Sequence, residues 1–204
     1  MIKDTSVIKK EEYSWSKFVE GDKESFESIY NLNVDDLFSY GMKLYPDRDY
    51  IKDTIQDVFL DIYEHRKNLS TPKDIKFYLF TVLKHTLFRK LKAERKSRNI
   101  ENINEFSLLS ESSIEQITIT DEREQHKRKI ISKLIAELTP KQQEILYLRF
   151  NKGFSYMEIS DITKINHNSV RKQVYRAIKK LRKSDIYKKN KNIITHFLFF
   201  YIKD

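Results

Sequence analysis

Residues 138–181 read LTPKQQEILYLRFNKGFSYMEISDITKINHNSVRKQVYRAIKKL, and this stretch decides the fold of the C-terminal part of the chain. Thr139 can cap a helix while Gln142 reaches back to it, and Ser155 and Glu158 repeat the arrangement. Two short helices joined by a tight turn follow, and the second is apolar on one side and basic on the other. This pattern is typical of a helix-turn-helix whose second helix recognises DNA.

That second helix begins near Asn166 and has two distinct sides. We expect its apolar side to be buried, namely Val170, Val174, Ala177, Ile178 and Leu181. Its outward residues are Asn168, Ser169, Arg171, Lys172, Tyr175, Arg176 and Lys179. Residues 162–184 hold eight Lys or Arg and no Asp or Glu. Such a cluster attracts phosphate backbones through the release of condensed counterions.

Residues 51–63 predict another amphipathic helix, nearer the N-terminus. Its apolar stripe consists of Ile51, Ile55, Val58, Phe59, Ile62 and Tyr63. The opposite side carries Asp53, Gln56, Asp57, Leu60 and Glu64. This gives an acidic face on a chain that is otherwise basic, and such a face suits a protein partner better than it suits DNA.

A turn at residues 69–72 precedes a further helix, which is apolar nearly all round between Ile75 and Leu91. We therefore expect this helix to be central to a helical bundle. Its far end carries a first basic cluster, made of Lys84, Arg89, Lys90, Lys92, Arg95 and Lys96.

The composition excludes several classes of function. The 204 residues include 39 Lys plus Arg against 30 Asp plus Glu, a formal net charge of +9, with a pI of about 9.4. The three glycines lie too far apart for a glycine-rich phosphate loop. Because there is no cysteine and no histidine at a metal-ligand spacing, we expect no metal, no cofactor and no enzymatic activity. No segment predicts a secretory signal or a membrane span, so we expect a cytoplasmic protein that is not integral to the membrane.

The charge also marks the domain organisation. Residues 97–124 hold two basic and seven acidic residues and lack helical apolar spacing, which favours a linker. We expect an all-α fold with two small helical domains, 14–97 and 125–184, joined by a flexible linker at 98–124. The tail 185–204 ends in an aromatic run that, as a helix, reaches only about 15 Å. We expect this run to pack on the second domain or on an inhibitory partner rather than to enter a membrane.

The motifs resemble the sigma-70 superfamily, specifically the small extracytoplasmic-function (ECF) sigma factors of bacterial RNA polymerase. Residues 53–63, DTIQDVFLDIY, and residues 75–80, IKFYLF, are similar to region 2. Residues 138–150 and 153–159, with Ser169-Val170 and Arg176-Ala177, are similar to region 4. The order and spacing of the motifs agree over residues 14–184. The resemblance implies a sigma factor that binds core polymerase and directs promoter-specific transcription initiation.

The resemblance also implies roles for individual residues. In region 2, the β′ coiled coil of core polymerase would engage Asp53, Gln56, Asp57 and Leu60. The −10 element would meet Lys84, His85, Phe88, Arg89 and Lys92, since single-stranded bases need stacking surfaces and basic groups together. In region 4, the −35 element would meet the outward residues Asn168, Ser169, Arg171, Lys172, Tyr175, Arg176 and Lys179. The other implied partners are the β flap of polymerase and an anti-sigma factor, with no small-molecule substrate.

The sequence departs from the family pattern at four positions. His85 stands at the usual Asn and Arg89 at the usual Asp of the −10 helix. In the helix-turn-helix, Thr163 stands at the usual Leu and Lys164 at the usual Gly, so we expect a strained left-handed lysine there.

Two alternatives stay open on the sequence. A helix-turn-helix regulator that acts without forming a polymerase holoenzyme would bind duplex DNA tightly by itself. A nucleic-acid enzyme would require a metal or nucleophile cluster, and the sequence shows none.

Overall fold

A computed structural model describes residues 14–97 and 122–190, without the side chains of Arg95, Ser97, Arg128 and residues 122–124. The chain divides into two compact units, here called the N-terminal unit (14–97) and the C-terminal unit (122–190). Within these ranges every regular element is a helix, so the all-α prediction is confirmed. The predicted flexible linker lies almost entirely outside the described residues, as does the aromatic run of the tail.

Four helices form the N-terminal unit. They are α1 (14–20), α2 (Lys23–Leu44), α3 (Arg48–His65) and α4 (Ile75–Ser97), with one 3-10 turn at Arg66–Asn68. α2, α3 and α4 pack on one another. As its apolar sequence predicts, α4 is central, since Leu79, Phe80, Leu83 and Leu87 are fully buried.

Aspartates begin these helices by accepting hydrogen bonds from backbone N–H groups that have no partner within the helix. Asp22 accepts from Ser25 N (2.9 Å), Asp47 from Tyr50 N (3.0 Å), and Asp74 from Phe77 N (2.8 Å). Short polar residues before each apolar run therefore fix where α2, α3 and α4 start.

α2 and α3 approach closely at Gly41. A Cβ atom placed on this glycine would lie 2.6 Å from Cγ2 of Ile51, which is closer than real Cβ contacts. The absence of a side chain at position 41 therefore lets α3 pack against α2.

An aromatic cluster holds α1 against the rest of the N-terminal unit. Trp15 and Phe18 are fully buried, and their ring centroids lie 5.4 Å apart in an edge-to-face arrangement. Trp15 also meets Tyr78 of α4 at 5.5 Å, and Phe18 stacks on Phe26 of α2 at 5.3 Å. Aromatic pairs in such geometries stabilise a core beyond the area that they bury.

The C-terminal unit contains α5 (Glu122–Ala136), α6 (Pro140–Leu146), α7 (Tyr156–Thr163), α8 (His167–Lys183) and α9 (Asp185–Lys189). A π-helical turn, Tyr147–Asn151, continues α6. Both predicted capping boxes are confirmed, Thr139 with Gln142 at α6 and Ser155 with Glu158 at α7.

Three boundaries or positions differ from the sequence-based expectation. α5 begins at Glu122, inside the segment 98–124 that was expected to be linker. The segment expected to be tail starts with α9, which contacts α5 and α8. Ile178, expected to be buried, is half-buried, whereas Val170, Val174, Ala177 and Leu181 are buried as expected.

Candidate protein-docking and nucleic-acid interfaces

The outward face of α3 is the candidate protein-docking surface. Asp53 and Gln56 are exposed, and the Leu60 side chain between acidic neighbours is 51% exposed. The buried residues of the same helix, among them Ile55 and Phe59, hold its other side against the bundle. Among the described residues, no cation pairs with the Asp53 carboxylate. α3 therefore presents a carboxylate, an amide and an apolar side chain together.

Asp57 differs from Asp53 because it has a cation of its own. Lys90 of α4 places Nζ 2.5 Å from Asp57 Oδ2 and 5.3 Å from the centre of the Tyr50 ring. In the sequence Lys90 belongs to the basic cluster of α4, but in the structure its ammonium pairs with a carboxylate of α3. Around the helix, Lys90 lies about 100° from Arg89 and about 160° from Lys92. Its ammonium therefore points toward α3 and Asp57 rather than along the stripe.

The basic stripe of α4 is the first candidate nucleic-acid surface. His85, Arg89 and Lys92 are exposed at a spacing that places them on one side of the helix. Lys84 and Phe88 are half-buried next to this stripe, with Lys84 Nζ 5.8 Å from the centre of the Phe88 ring. The stripe combines cations with a half-buried aromatic ring, and cations with aromatic rings are what unpaired bases require.

Two aromatic residues at the start of α4 belong to the core instead. Phe80 is fully buried and stacks on Tyr40 at 4.9 Å. Tyr78 packs against Trp15, and burial raises the pKa of its hydroxyl above the ordinary value, with a further contribution from the Asp61 carboxylate.

The outward face of α8 is the second candidate nucleic-acid surface. The residues expected from the sequence to face DNA are all exposed, namely Asn168, Ser169, Arg171, Lys172, Tyr175, Arg176 and Lys179. Tyr175 is 65% exposed although it is aromatic, and Lys179 Nζ lies 5.8 Å from the centre of its ring. A helix that is buried on one side, and whose other side carries several cations and no acidic residue, fits a major groove.

The turn before α8 sets the direction of this helix. Lys164 adopts the left-handed conformation that its position required, with φ 55° and ψ 33°. Ser160 Oγ donates to Ile165 O (2.6 Å) across the turn, and Asn166 caps α8 by accepting from Asn168 N (2.9 Å). The turn is thus fixed by local hydrogen bonds, without the glycine usual at this position.

Contacts farther along α8 tie it to the other helices of the C-terminal unit. Gln142 Nε2 of α6 donates to Gln173 Oε1 (3.3 Å). Near the C-terminal end of the helix, Lys180 donates to the backbone carbonyl of Glu137, and Ser184 Oγ donates to Glu137 Oε1 (2.6 Å). α8 is therefore held at its middle and at its C-terminal end as well as through its apolar side.

Sequence reasoning missed one residue next to this surface. The Tyr156 ring, at the start of α7, lies 4.9 Å from Arg149 Cζ and 5.9 Å from Arg171 Cζ. Cations at such distances are attracted by the face of the ring. The capping box at Ser155 fixes where α7 begins, but only the packing of α7 on α8 brings the ring to Arg171.

Within residues 14–97 and 122–190, no cluster of His, Asp or Glu has the arrangement of a metal site. In the same ranges, no helix is both long and apolar enough to cross a membrane.

Comparison with known proteins assigns both units. The model of sigma-70 region 2 matches residues 29–97, and the model of sigma-70 region 4 matches residues 128–181. The ECF RNA polymerase sigma factor SigM of Bacillus subtilis (strain 168) is 22% identical over 161 residues, which cover 78% of this chain and 93% of SigM. SigX of the same organism, also an ECF RNA polymerase sigma factor, is 21% identical over 164 residues, covering 79% of this chain and 84% of SigX.

Two solved structures share the fold. The sigma factor RpoE from Bartonella quintana, crystallised with the anti-sigma factor NepR, superposes with a TM-score of 0.56 at 18% identity, covering 81% of this chain and 98% of that chain. CnrH, solved in complex with the cytosolic domain of CnrY, superposes with a TM-score of 0.55 at 13% identity. The superposition covers 84% of this chain and 94% of the CnrH chain. With two sigma-70 regions in order and ECF relatives along most of its length, this chain belongs to the sigma-70 family, as an ECF sigma factor.

Proposed function

We propose that this sigma factor joins core RNA polymerase through α3 and reads promoter DNA through α4 and α8. The observation that carries the proposal is that one chain has both an acidic, partly apolar face in region 2 and, in region 4, a recognition helix with several outward cations and no acidic residue. These two surfaces require partners of different chemistry. A basic protein surface suits the first, and a duplex phosphate backbone suits the second.

The residue roles divide by helix. On α3, Asp53, Gln56 and Leu60 contact the β′ coiled coil of polymerase, with Asp57 beside them. On α4, the −10 element meets the stripe of Lys84, His85, Phe88, Arg89 and Lys92. On α8, the −35 element meets the exposed residues Asn168, Ser169, Arg171, Lys172, Tyr175, Arg176 and Lys179. Region 4 also binds the β flap.

The remaining parts of the proposal concern activity and control. Sigma factors are non-enzymatic initiation factors, so in this proposal the polymerase supplies the chemistry of RNA synthesis and this chain supplies promoter choice. The proposal places it in the cytoplasm, where core polymerase and promoter DNA are. In the proposal, an anti-sigma factor holds this chain inactive. Its likeness to RpoE, solved with the anti-sigma factor NepR, and to CnrH, solved with the cytosolic domain of CnrY, supports this part.

The test of the docking face is charge reversal by Asp53→Lys, measured as binding of the full chain to core polymerase. We expect weaker binding and weaker promoter-directed transcription in vitro, and a further loss on adding Asp57→Lys. Asp35→Lys is the matched control, because Asp35 is an exposed acid of the same unit on α2, away from α3. Equal binding of the Asp53 and Asp35 variants would contradict the proposed face. A different result would favour a regulator that forms no holoenzyme. In that case the chain alone would bind duplex DNA tightly, and transcription by core polymerase would not depend on the chain.

A further inference from the structure

The ion pair between Lys90 and Asp57 lies on the edge of the proposed docking face. Its two side chains come from different helices, α4 and α3, and meet at 2.5 Å. The Lys90 side chain is 28% exposed and that of Asp57 is 50% exposed, so a partner protein could reach the carboxylate more easily than the ammonium. The ring of Tyr50, in the first turn of α3, has its centre 5.3 Å from Lys90 Nζ and attracts the same ammonium by a cation–π interaction.

This arrangement makes the two aspartates of the face unequal. Asp53 lies one helical turn before Asp57, is exposed, and has no cation among the described residues. A partner's Lys or Arg that meets Asp53 replaces only water. A partner's cation that meets Asp57 must either displace Lys90 or approach another positive charge, and both lower the gain from the contact.

We infer that Lys90 is a specificity-determining residue of the docking face. Because its ammonium already pairs with the Asp57 carboxylate, Lys90 weakens the binding of basic partner surfaces. The inference rests on the proposed docking of α3 to core polymerase. Because Lys90 neutralises Asp57, Asp53 is the carboxylate of the face that a partner's cation would bind, and Leu60 is the apolar side chain that the partner would contact. A partner that fits this face has a cation opposite Asp53 and a neutral or hydrogen-bonding group opposite the Asp57–Lys90 pair.

A second ion pair of the same unit provides a matched control. Lys76 of α4 pairs with Asp36 of α2, and their side chains are 31% and 34% exposed. This pair also joins α4 to a neighbouring helix, but its acid belongs to α2 and not to α3. Removing either lysine changes the net charge of the chain equally.

The experiment compares Lys90→Met with Lys76→Met in the full chain, by titrating core polymerase at low and high salt. We expect Lys90→Met to tighten binding about two- to fivefold at low salt, the range for an exposed ion pair. The difference should shrink at high salt, where the charges are screened. Lys76→Met should leave the affinity at its original value, and Lys90→Arg, which keeps the cation, should bind more weakly than Lys90→Met.

Binding of the Lys90→Met variant that is unchanged or weaker would overturn the inference, as would an equal gain in the Lys76→Met variant. Lys90→Gln provides a second neutral variant should the methionine variant fail to fold, which circular dichroism would show. The Asp53→Lys variant separates the two levels of the argument. If Asp53→Lys leaves core binding intact, the docking face itself is wrong; if it weakens binding while neither neutral Lys90 variant strengthens it, only the role of Lys90 is wrong.

Discussion

Replacing Lys164 by glycine should stabilise the C-terminal unit. Lys164 is the one residue other than glycine with a positive φ in the described ranges, at φ 55° and ψ 33°. A side chain in this conformation costs about 1–2 kcal/mol, because its Cβ crowds the following carbonyl oxygen. Glycine avoids that cost but loses more backbone entropy on folding, by about 0.5–1 kcal/mol. We therefore expect a net gain of about 0.5–1 kcal/mol.

Thermal unfolding of the full chain measures this gain. For a unit of this size, the expected gain raises the melting temperature by about 2–8 °C. The two units can be followed separately, because the single tryptophan, Trp15, reports on the N-terminal unit by its fluorescence. Hydrogen exchange of the α8 amides, read by mass spectrometry, reports on the C-terminal unit.

A second lysine-to-glycine change tests the reasoning from the opposite direction. Lys133 is an exposed residue of α5 with ordinary helical neighbours, so Lys133→Gly should destabilise the same unit by about 0.5–1 kcal/mol. The two variants lose the same side chain and the same charge but should shift stability with opposite signs. If Lys164→Gly destabilises the unit as Lys133→Gly does, the turn is not under backbone strain and the explanation fails.

Further predictions concern DNA binding and the core of the N-terminal unit. Arg176→Ala should cost about 1–3 kcal/mol at a cognate promoter if the guanidinium reads a base, whereas an equal loss on all sequences in a binding titration would make it a phosphate contact. Trp15→Ala should destabilise the N-terminal unit by about 3–5 kcal/mol in a denaturant titration, since the ring is fully buried. Gly41→Ala should cost about 1–3 kcal/mol in the same titration, because the new methyl group would overlap Ile51. Because the pKa of Tyr78 is raised in the folded state, its hydroxyl ionises at a lower pH in the unfolded chain than in the folded one. The free energy of unfolding should therefore fall as the pH rises above about 10, and Tyr78→Phe should reduce this fall.

Local signals were sufficient to predict the helix-turn-helix. Each capping box involves residues three apart, and the apolar and basic sides of α8 follow from a single helical period. The left-handed Lys164 could also be anticipated, since its place in the turn requires that conformation. These features depend on neighbours within one or two turns, which the sequence displays directly.

Features that depend on packing between helices could not be predicted in the same way. Lys90 is a neighbour of Arg89 in the sequence, but its partner Asp57 lies 33 residues away on another helix. The aromatic cluster around Trp15 likewise joins α1, α2 and α4, which no single periodicity reveals. The sequence could predict which face of α3 is acidic, but it could not show that one of its carboxylates already has a cation.

The division of α8 into two sides has an evolutionary consequence. Val170, Val174, Ala177 and Leu181 hold the helix in the fold, while the residues that face outward make few contacts within the unit. Substitutions such as those at Lys172 or Arg176 can therefore accumulate with little effect on folding. If these outward residues read the −35 element, as in the proposed function, promoter preference can change by few substitutions while the buried side of α8 is conserved by the separate requirement for folding.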